Sequence, residues 1–253
     1  MRYRGIGTQK MVELLEEYFP HARVLRMDAD TTMTKDAHEK AFLAFASGEY
    51  DILVGTQMVA KGLDFPNVGL VGVLSADQSL YGDDYRSYET TFALLTQVIG
   101  RAGRRSEQGL AVVQTYTPDN PVIELAADQD YCGFFNLEIT SRKMMHYPPY
   151  ADLFLFGFSG LQEQRVRQAA RRMLELLRDA AMGEYSNLPM VALDPTPAAV
   201  VKVAGKYRYK MLVKARNTKP MRDLVRKLMH TLNSEPMTRG VTVYVDINPA
   251  SML

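Results

Sequence analysis

The chain has 253 residues, 47% hydrophobic and 23% charged, enough for two ordinary domains or one large one with a substantial core. Its apolar runs fall far short of the ~18 residues a membrane span needs, and the amino end (Met1-Arg2-Tyr3-Arg4-Gly5) has no apolar stretch, so neither a span nor a signal peptide is expected. One cysteine, Cys132, excludes an internal disulfide and a Cys-rich metal site and fits a reducing cytosol. The net charge of +1 conceals an asymmetry. Residues 1–140 carry 12 Lys+Arg against 20 Asp+Glu, and residues 141–253 carry 18 against 9. The split predicts two units with different electrostatic roles, the second a candidate for polyanion contact or simply a basic solvated surface.

In chain order, Met11, Val12, Leu14, Leu15, Tyr18 and Phe19 repeat at helix spacing behind Thr8 as a candidate N-cap. Residues 22–27 read as a strand, 37–45 as a helix stopping near Gly48, and 52–54 and 68–74 as buried strands. Residues 85–101 read as a long helix, 110–116 as a strand, and 121–129 and 134–144 as helices. Strands alternating with helices predict a parallel α/β sheet covered on both faces.

Tyr147-Pro148-Pro149-Tyr150 interrupts this pattern and sets an expected boundary, with domains at 1–145 and 146–253. Beyond it come a strand (153–158), a long basic helix (162–182), strands at 189–193 and 206–215, a helix (220–232) and a strand (241–247). That order, β-α-β-β-α-β, predicts a split βαβ, ferredoxin-like α+β domain.

Three segments of the first unit fall where an open parallel sheet binds ligands, beyond the carboxyl ends of strands. They are Arg26–Thr32, the run Gly55-Thr56-Gln57-Met58-Val59-Ala60-Lys61-Gly62-Leu63-Asp64-Phe65-Pro66, and Gln97-Val98-Ile99-Gly100-Arg101-Ala102-Gly103-Arg104. In the second, the turn amides and Thr56 hydroxyl suit a phosphate oxygen, Lys61 adds a cation, and Gly62 permits a tight turn that returns Asp64 to the sheet edge. In the third, Gln97, Arg101 and Arg104 fall at i, i+4 and i+7, one face of a helix. Two guanidinium groups there suit a transferring phosphoryl group. The alternative is a pair of arginines closing the last helical carbonyls.

In the second unit, Lys206, Arg208, Lys210, Lys214 and Arg216 alternate with Tyr207, Tyr209, Met211 and Val213. A strand places the cations on one face and the apolar residues in the core. The cation row suits a nucleic-acid backbone or is a solvated outer face. Arg165, Arg172 and Arg178 form a more diffuse basic helix face. His21, His38, His146 and His230 lack ligand spacing, and Cys132 is expected to be a semi-buried filler.

The two motif runs resemble motifs V and VI of superfamily-two helicases, and their wording is similar to that of the PriA family of primosomal replication-restart helicases (primosomal protein N′). The similarity extends to Arg2-Tyr3-x-Gly5-x-Gly7-Thr8, Arg142-Lys143-Met144-Met145-x-Tyr147-Pro148-Pro149-Tyr150, Gly205-x-Tyr207-Arg208-Tyr209 and Val245-Asp246-Ile247-Asn248-Pro249, so it spans nearly the whole chain. The resemblance implies a RecA-like helicase lobe followed by the family's C-terminal domain. It implies that Arg104 serves as arginine finger with Arg101, aligned by Gln97, and that Gly62 and Asp64 lie at the nucleotide. It implies that Thr56 and Gln57 hold the translocated strand, with Lys61 at either site. Lys206, Arg208 and Lys210 would contact DNA. Lys219 and Arg222 would receive the acidic tail of single-stranded-DNA-binding protein.

No Gly-x-x-x-x-Gly-Lys-Ser/Thr occurs here, and Gly205-Lys206 is followed by Tyr207. The family carries its P-loop and zinc module upstream, so the chain is expected to be a fragment, inactive alone. ATP and Mg2+ would be used with the absent lobe, and zinc would belong upstream, with no metal in this chain. The implied whole is a monomeric, bacterial, cytoplasmic 3′→5′ DNA helicase acting on forked and single-stranded DNA with other primosome proteins. The alternative is a non-catalytic nucleic-acid or protein-binding platform with a degenerate lobe.

Overall fold

A computed structural model describes residues 7–28, 35–56, 68–100 and 109–252. The chain forms two units: residues 1–82 with 86–135, and residues 83–85 with 136–253.

The first unit opens with α1 (Thr8–Tyr18), β1 (Val24–Met27), α2 (Lys35–Ala46) and β2 (Ile52–Gly55). Strands β1 and β2 pair in parallel from Val24↔Ile52 to Met27↔Gly55. At their amino ends Arg23 grips Asp51, donating Nε to Oδ2 at 2.9 Å and Nη2 to Oδ1 at 2.8 Å. Thr8 is not the cap expected of it. Gly7 occupies that position, and the Thr8 hydroxyl instead donates to Asp28 beyond β1.

A second parallel pair joins β3 (Leu70–Val73) to β4 (Leu110–Val113). Between them lie α3 (Asp77–Leu80), a turn that periodicity did not reveal, and α4 (Ser87–Ile99). Helix α4 is shorter than expected at both ends: residues 85 and 86 precede it and Gly100 caps it. Then come α5 (Pro121–Ala127) and α6 (Tyr131–Met145). Asn120 caps α5 by accepting from the Val122 amide at 2.9 Å, with Pro121 in the first turn where its missing N–H costs nothing. The core joins Leu80, Phe92, Leu95, Val122, Ile123, Ala126 and Phe134, with Phe92 stacked on Phe134 at 4.1 Å. The parallel pairing and the alternating helices make this unit α/β. Cys132, expected to be semi-buried, is exposed.

The second unit runs β5 (Asp152–Gly160), α7 (Glu163–Met182), β6 (Met190–Ala192), β7 (Thr196–Val203), β8 (Lys206–Ala215), α8 (Lys219–Ser234), a 3-10 turn (Pro236–Thr238) and β9 (Val241–Ile247). Its antiparallel sheet has the spatial order β6-β8-β5-β9, and β7 pairs with the rest of the β8 edge. Strand β5 is central, which explains its nearly unbroken apolar run. Phe154, Phe156 and Phe158 face α7 and α8, which contribute Val166, Ala169, Ala170, Met173 and Leu177, and Met221, Leu224, Leu228 and Leu232. These recur at helix spacing, one stripe per helix. Phe156 is fully buried, and truncating such a residue to alanine costs about 3–5 kcal/mol.

Strand β7 was not expected. It joins β8 through a two-residue turn, Ala204-Gly205, with φ +47° and +79°. A turn with both central residues at positive φ matches the twist of a hairpin.

Candidate functional site

The carboxyl ends of β1 and β2 lie side by side, since Met27 pairs with Gly55. Asp28 follows β1, 5% exposed, and accepts from Arg26 Nε at 2.6 Å as well as from Thr8. Arg26 also donates Nη1 to Gln9 at 2.6 Å. Thr56 follows β2 and is exposed at that edge. The expected phosphate-binding hydroxyl thus stands at the strand end where a parallel sheet takes ligands. Gln57, Lys61, Gly62 and Asp64 lie outside the described residues.

Gln97 sits half-buried in the last full turn of α4, three residues before Gly100. Arg101 and Arg104 lie outside the described residues, as does the part of the expected helix that includes Arg101. Sequence reading missed Asp77, a buried carboxylate beyond β3. It accepts from Thr115 Oγ1 at 3.0 Å and from the Tyr116 amide at 3.2 Å, binding together the carboxyl ends of β3 and β4. Its only sequence signal is an aspartate placed just after an apolar run.

In the second unit the cation row of β8 does alternate with core residues, but it is not one open face. Tyr209, Met211 and Val213 pack under the helices. On the opposite face, Lys206 is exposed and Arg208 half-buried. Lys210 donates to Asp83 at 2.6 Å and to the Met252 carbonyl at 2.9 Å. Lys214 is buried, 5% exposed, and donates to the Met145 carbonyl at 2.7 Å. Burial lowers the Lys214 pKa by penalising the charged form. Tyr85, Tyr147 and Met252 cover this end of the face, packing on Leu153, Leu155 and Leu212.

Three helix arginines singled out as a diffuse basic face have local partners. Arg172 bridges Glu175 and Glu235, Arg178 pairs with Asp194, and Arg165 donates to the Arg239 carbonyl. Lys219 and Arg222 stand exposed at the amino end of α8, capped by Thr218. Arg222 donates to Asn217 Oδ1 at 2.9 Å.

Among the described residues no group of three or more His, Cys, Asp or Glu side chains is placed to hold a metal. Among them, too, no helix is long and apolar enough to cross a membrane.

Residues 6–106 match the family model described as the helicase conserved C-terminal domain, and residues 143–250 match that of the primosomal protein N C-terminal domain. The chain belongs to the PriA family. It is 41% identical to the replication restart protein PriA of Bacillus subtilis over 100% of this chain and 31% of the relative. Identity to the same-named protein of Synechocystis is 43%, over 85% of this chain and 25% of the relative. For Chlamydia pneumoniae it is 36%, over 98% and 32%. The chain therefore spans between a quarter and a third of the length of these PriA relatives. Among solved structures, a hydantoinase/carbamoylase family amidase from Burkholderia ambifaria covers 38% of this chain and 27% of its own at 14% identity and a TM-score of 0.29, too slight a likeness to bear on the fold.

Proposed function

We propose that this chain supplies the second motor lobe (1–145) and the C-terminal domain (146–253) of an ATP-dependent 3′→5′ DNA helicase that restarts stalled replication forks and loads the primosome. The observation that carries this is the presence, in one chain, of a helicase C-terminal match followed by a primosomal one. The lobe is RecA-like. Arg104 is the arginine finger, Arg101 its companion on the β/γ-phosphates, and Gln97 aligns them. Gly62 and Asp64 serve the nucleotide. Thr56, Gln57 and Lys61 hold a phosphate of the translocated strand, and the exposed Thr56 at the β2 edge supports that role. ATP is gripped when two lobes close and released on hydrolysis, so that DNA contacts on the lobes step past each other. The donors this chain offers, hydroxyl, amide and guanidinium, suit phosphate oxygens. Mg2+ enters as the counter-ion of the nucleotide, held with residues outside this chain, and zinc is placed upstream.

The second domain is read as ferredoxin-like, because each of its two βαβ crossovers skips one strand, with β7 added at the edge. Lys206 and Arg208 contact DNA backbone. Lys210 belongs to the same row, although Asp83 already shares its charge. Lys219 and Arg222 receive an acidic tail, that of single-stranded-DNA-binding protein. The protein works as a monomer in the bacterial cytoplasm on forked and single-stranded DNA with other primosome proteins.

The test is ATP hydrolysis with and without DNA. The 253 residues alone hydrolyse no ATP, and joining them to a P-loop lobe of the family restores DNA-stimulated turnover. Turnover by the chain alone overturns the reading. Failure of the joined protein to hydrolyse ATP, with DNA binding intact, favours a non-catalytic platform.

A further inference from the structure

The half of the sheet face left open beside the Tyr85–Tyr147–Met252 cover has an aromatic floor. Gly157 of β5 pairs with Tyr244 of β9 on one side and with Lys210 of β8 on the other. Leu153 and Leu155 mark the face on which residue 157 points, away from the helices. A Cβ placed on Gly157 would lie 2.1 Å from Tyr244 Cζ and 2.4 Å from its hydroxyl. The Tyr244 ring therefore lies across β5, seated on the backbone that the absent side chain leaves bare. A ring laid down to fill a glycine gap explains that seat. It does not explain why the ring stays 46% exposed when Tyr85 and Tyr147 on the same face are half-buried.

One step along the strands, Ser159 pairs with Arg208 and with Thr242. Arg208 is thus two strands and one residue pair from Tyr244, roughly 10 Å across and 7 Å along. That spacing lets a long guanidinium side chain reach the phosphate of a nucleotide whose base lies on the ring. Lys206 extends the cationic edge, and neither Lys206 nor Arg208 has an ion pair among the described residues. Asp246 stands on the opposite side of Tyr244 along β9, so the charge gradient runs one way across the platform. A flat exposed aromatic beside a cationic edge is the arrangement that takes unstacked bases without regard to sequence.

We infer that Tyr244, seated on Gly157, is a base-stacking platform for single-stranded nucleic acid, with Arg208 and Lys206 holding the adjoining phosphates. This rests on the polyanion-binding role given above to Lys206 and Arg208, and adds a contact that backbone neutralisation alone does not supply.

The experiment compares fluorescence anisotropy of the whole 253-residue chain with a labelled oligothymidine and with an abasic strand of the same length. Tyr244→Ala weakens oligothymidine binding between about five- and a hundredfold, the range for one lost base–aromatic stack, and leaves the abasic strand unchanged. Tyr244→Phe keeps the wild-type affinity within about twofold, since the π-face survives. Gly157→Ala, which forces the ring off its seat, weakens oligothymidine in the same direction while every ligand-contacting group remains. Thermal melts of each variant establish that the fold persists, and the wild-type preference for oligothymidine over the abasic strand keeps the test decisive if the Ala variant does not fold, since equal binding of the two strands overturns the platform.

The platform is overturned if Tyr244→Ala binds oligothymidine like the wild type, if Tyr244→Phe is as weak as Tyr244→Ala, or if duplex of equal length binds more tightly than the single strand. If the wild type binds both strands equally and Arg208→Ala weakens both, the polyanion reading stands and the platform falls. If neither strand binds, the polyanion reading fails and the platform with it.

Discussion

The ring of Tyr85 lies parallel to that of Tyr147, centroids 5.0 Å apart and planes 8° from each other. Lys214 Nζ stands 3.5 Å from the Tyr147 centroid, and the Arg142 guanidinium carbon 5.2 Å from that of Tyr85. Two cations thus attend two stacked rings, and the segment Asp83–Tyr85 belongs to the second unit although residues 82 and 86 belong to the first. Asp83 holds Lys210, and Asp84 accepts from the Met252 amide at 3.1 Å. Each ring is half-buried, and such a stack adds about 0.5–1.5 kcal/mol beyond area burial. Tyr85→Ala and Tyr147→Ala are each expected to destabilise the second unit by about 1–3 kcal/mol. The double variant is expected to cost less than the sum by about 1 kcal/mol, read as coupling in urea unfolding. Full additivity would mean the rings contribute separately.

Asp152 supplies a pH-dependent tie at the start of β5. Its carboxylate accepts from Asn248 Nδ2 and from the Asn217 amide, both at 2.8 Å, joining the β8–α8 loop to the residues after β9. Those bonds, Asn248 first, hold its pKa below the ordinary carboxylate value. A depressed folded pKa means the stabilisation is present above the unfolded value, about 3.9, and is lost as pH falls through the folded one. The group is partly exposed, so Asp152→Ala is expected to cost about 1 kcal/mol at neutral pH, below the roughly 1.5–3 kcal/mol of a charged hydrogen bond because solvent screens it. The melting-temperature gap between wild type and variant is expected to narrow below about pH 4. A gap that persists unchanged in acid would assign the tie to the neutral group.

Lys206, Arg208 and Lys210 of β8 are not expected to respond alike to salt. Lys206→Gln and Arg208→Gln should each lower the slope of log affinity against log salt for a single strand by about 0.7, one phosphate contact apiece. Lys210 already meets Asp83 and the Met252 carbonyl, so Lys210→Gln should chiefly lower stability and leave the slope nearly as it was. Equal slope changes for all three would mean that Asp83 yields its partner to DNA.

What the sequence made legible, and what it hid, follows from how local the determining forces are. The apolar stripes of α7 and α8 and the continuous run of β5 are local patterns, and the elements appear where those patterns lie. Strand β7 was hidden because it is an edge strand containing Pro197, exposed at nearly every position, so no burial pattern marks it. The alternation in β8 correctly separated core residues from cations. It did not reveal that Lys214 would be buried, because the cover comes from Tyr85 and Tyr147, distant in sequence. Of the residues proposed for the motor, Thr56 and Gln97 lie within the described structure, the first after the carboxyl end of a parallel strand and the second near a helix end. Asp28 fell within the strand-end segment Arg26–Thr32 that the sequence marked, but its bonds to Arg26 and Thr8 required coordinates. Asp77 had no such mark, since a lone aspartate after a strand has no distinguishing spacing.

The motor role of Arg104 is the most demanding consequence of the proposed function. An arginine finger stabilises charge that develops only in the transition state, so its removal lowers turnover without loosening ground-state contacts. In a two-lobe protein carrying this chain, Arg104→Ala is expected to lower DNA-stimulated ATP turnover by roughly 10³–10⁵. DNA affinity should stay within about twofold, because the proposed DNA contacts lie at Thr56, Gln57, Lys61 and the second unit. Arg104→Lys should restore little, since a point charge on a flexible stem does not reproduce the planar bidentate fork. Arg101→Ala and Gln97→Ala are expected to lower turnover less, as companion and aligning residues. Steady-state turnover and strand-binding anisotropy on the same preparations separate the two effects. Near-normal turnover in Arg104→Ala removes the finger assignment, and equal losses of turnover and DNA affinity would place Arg104 at the strand instead of the nucleotide.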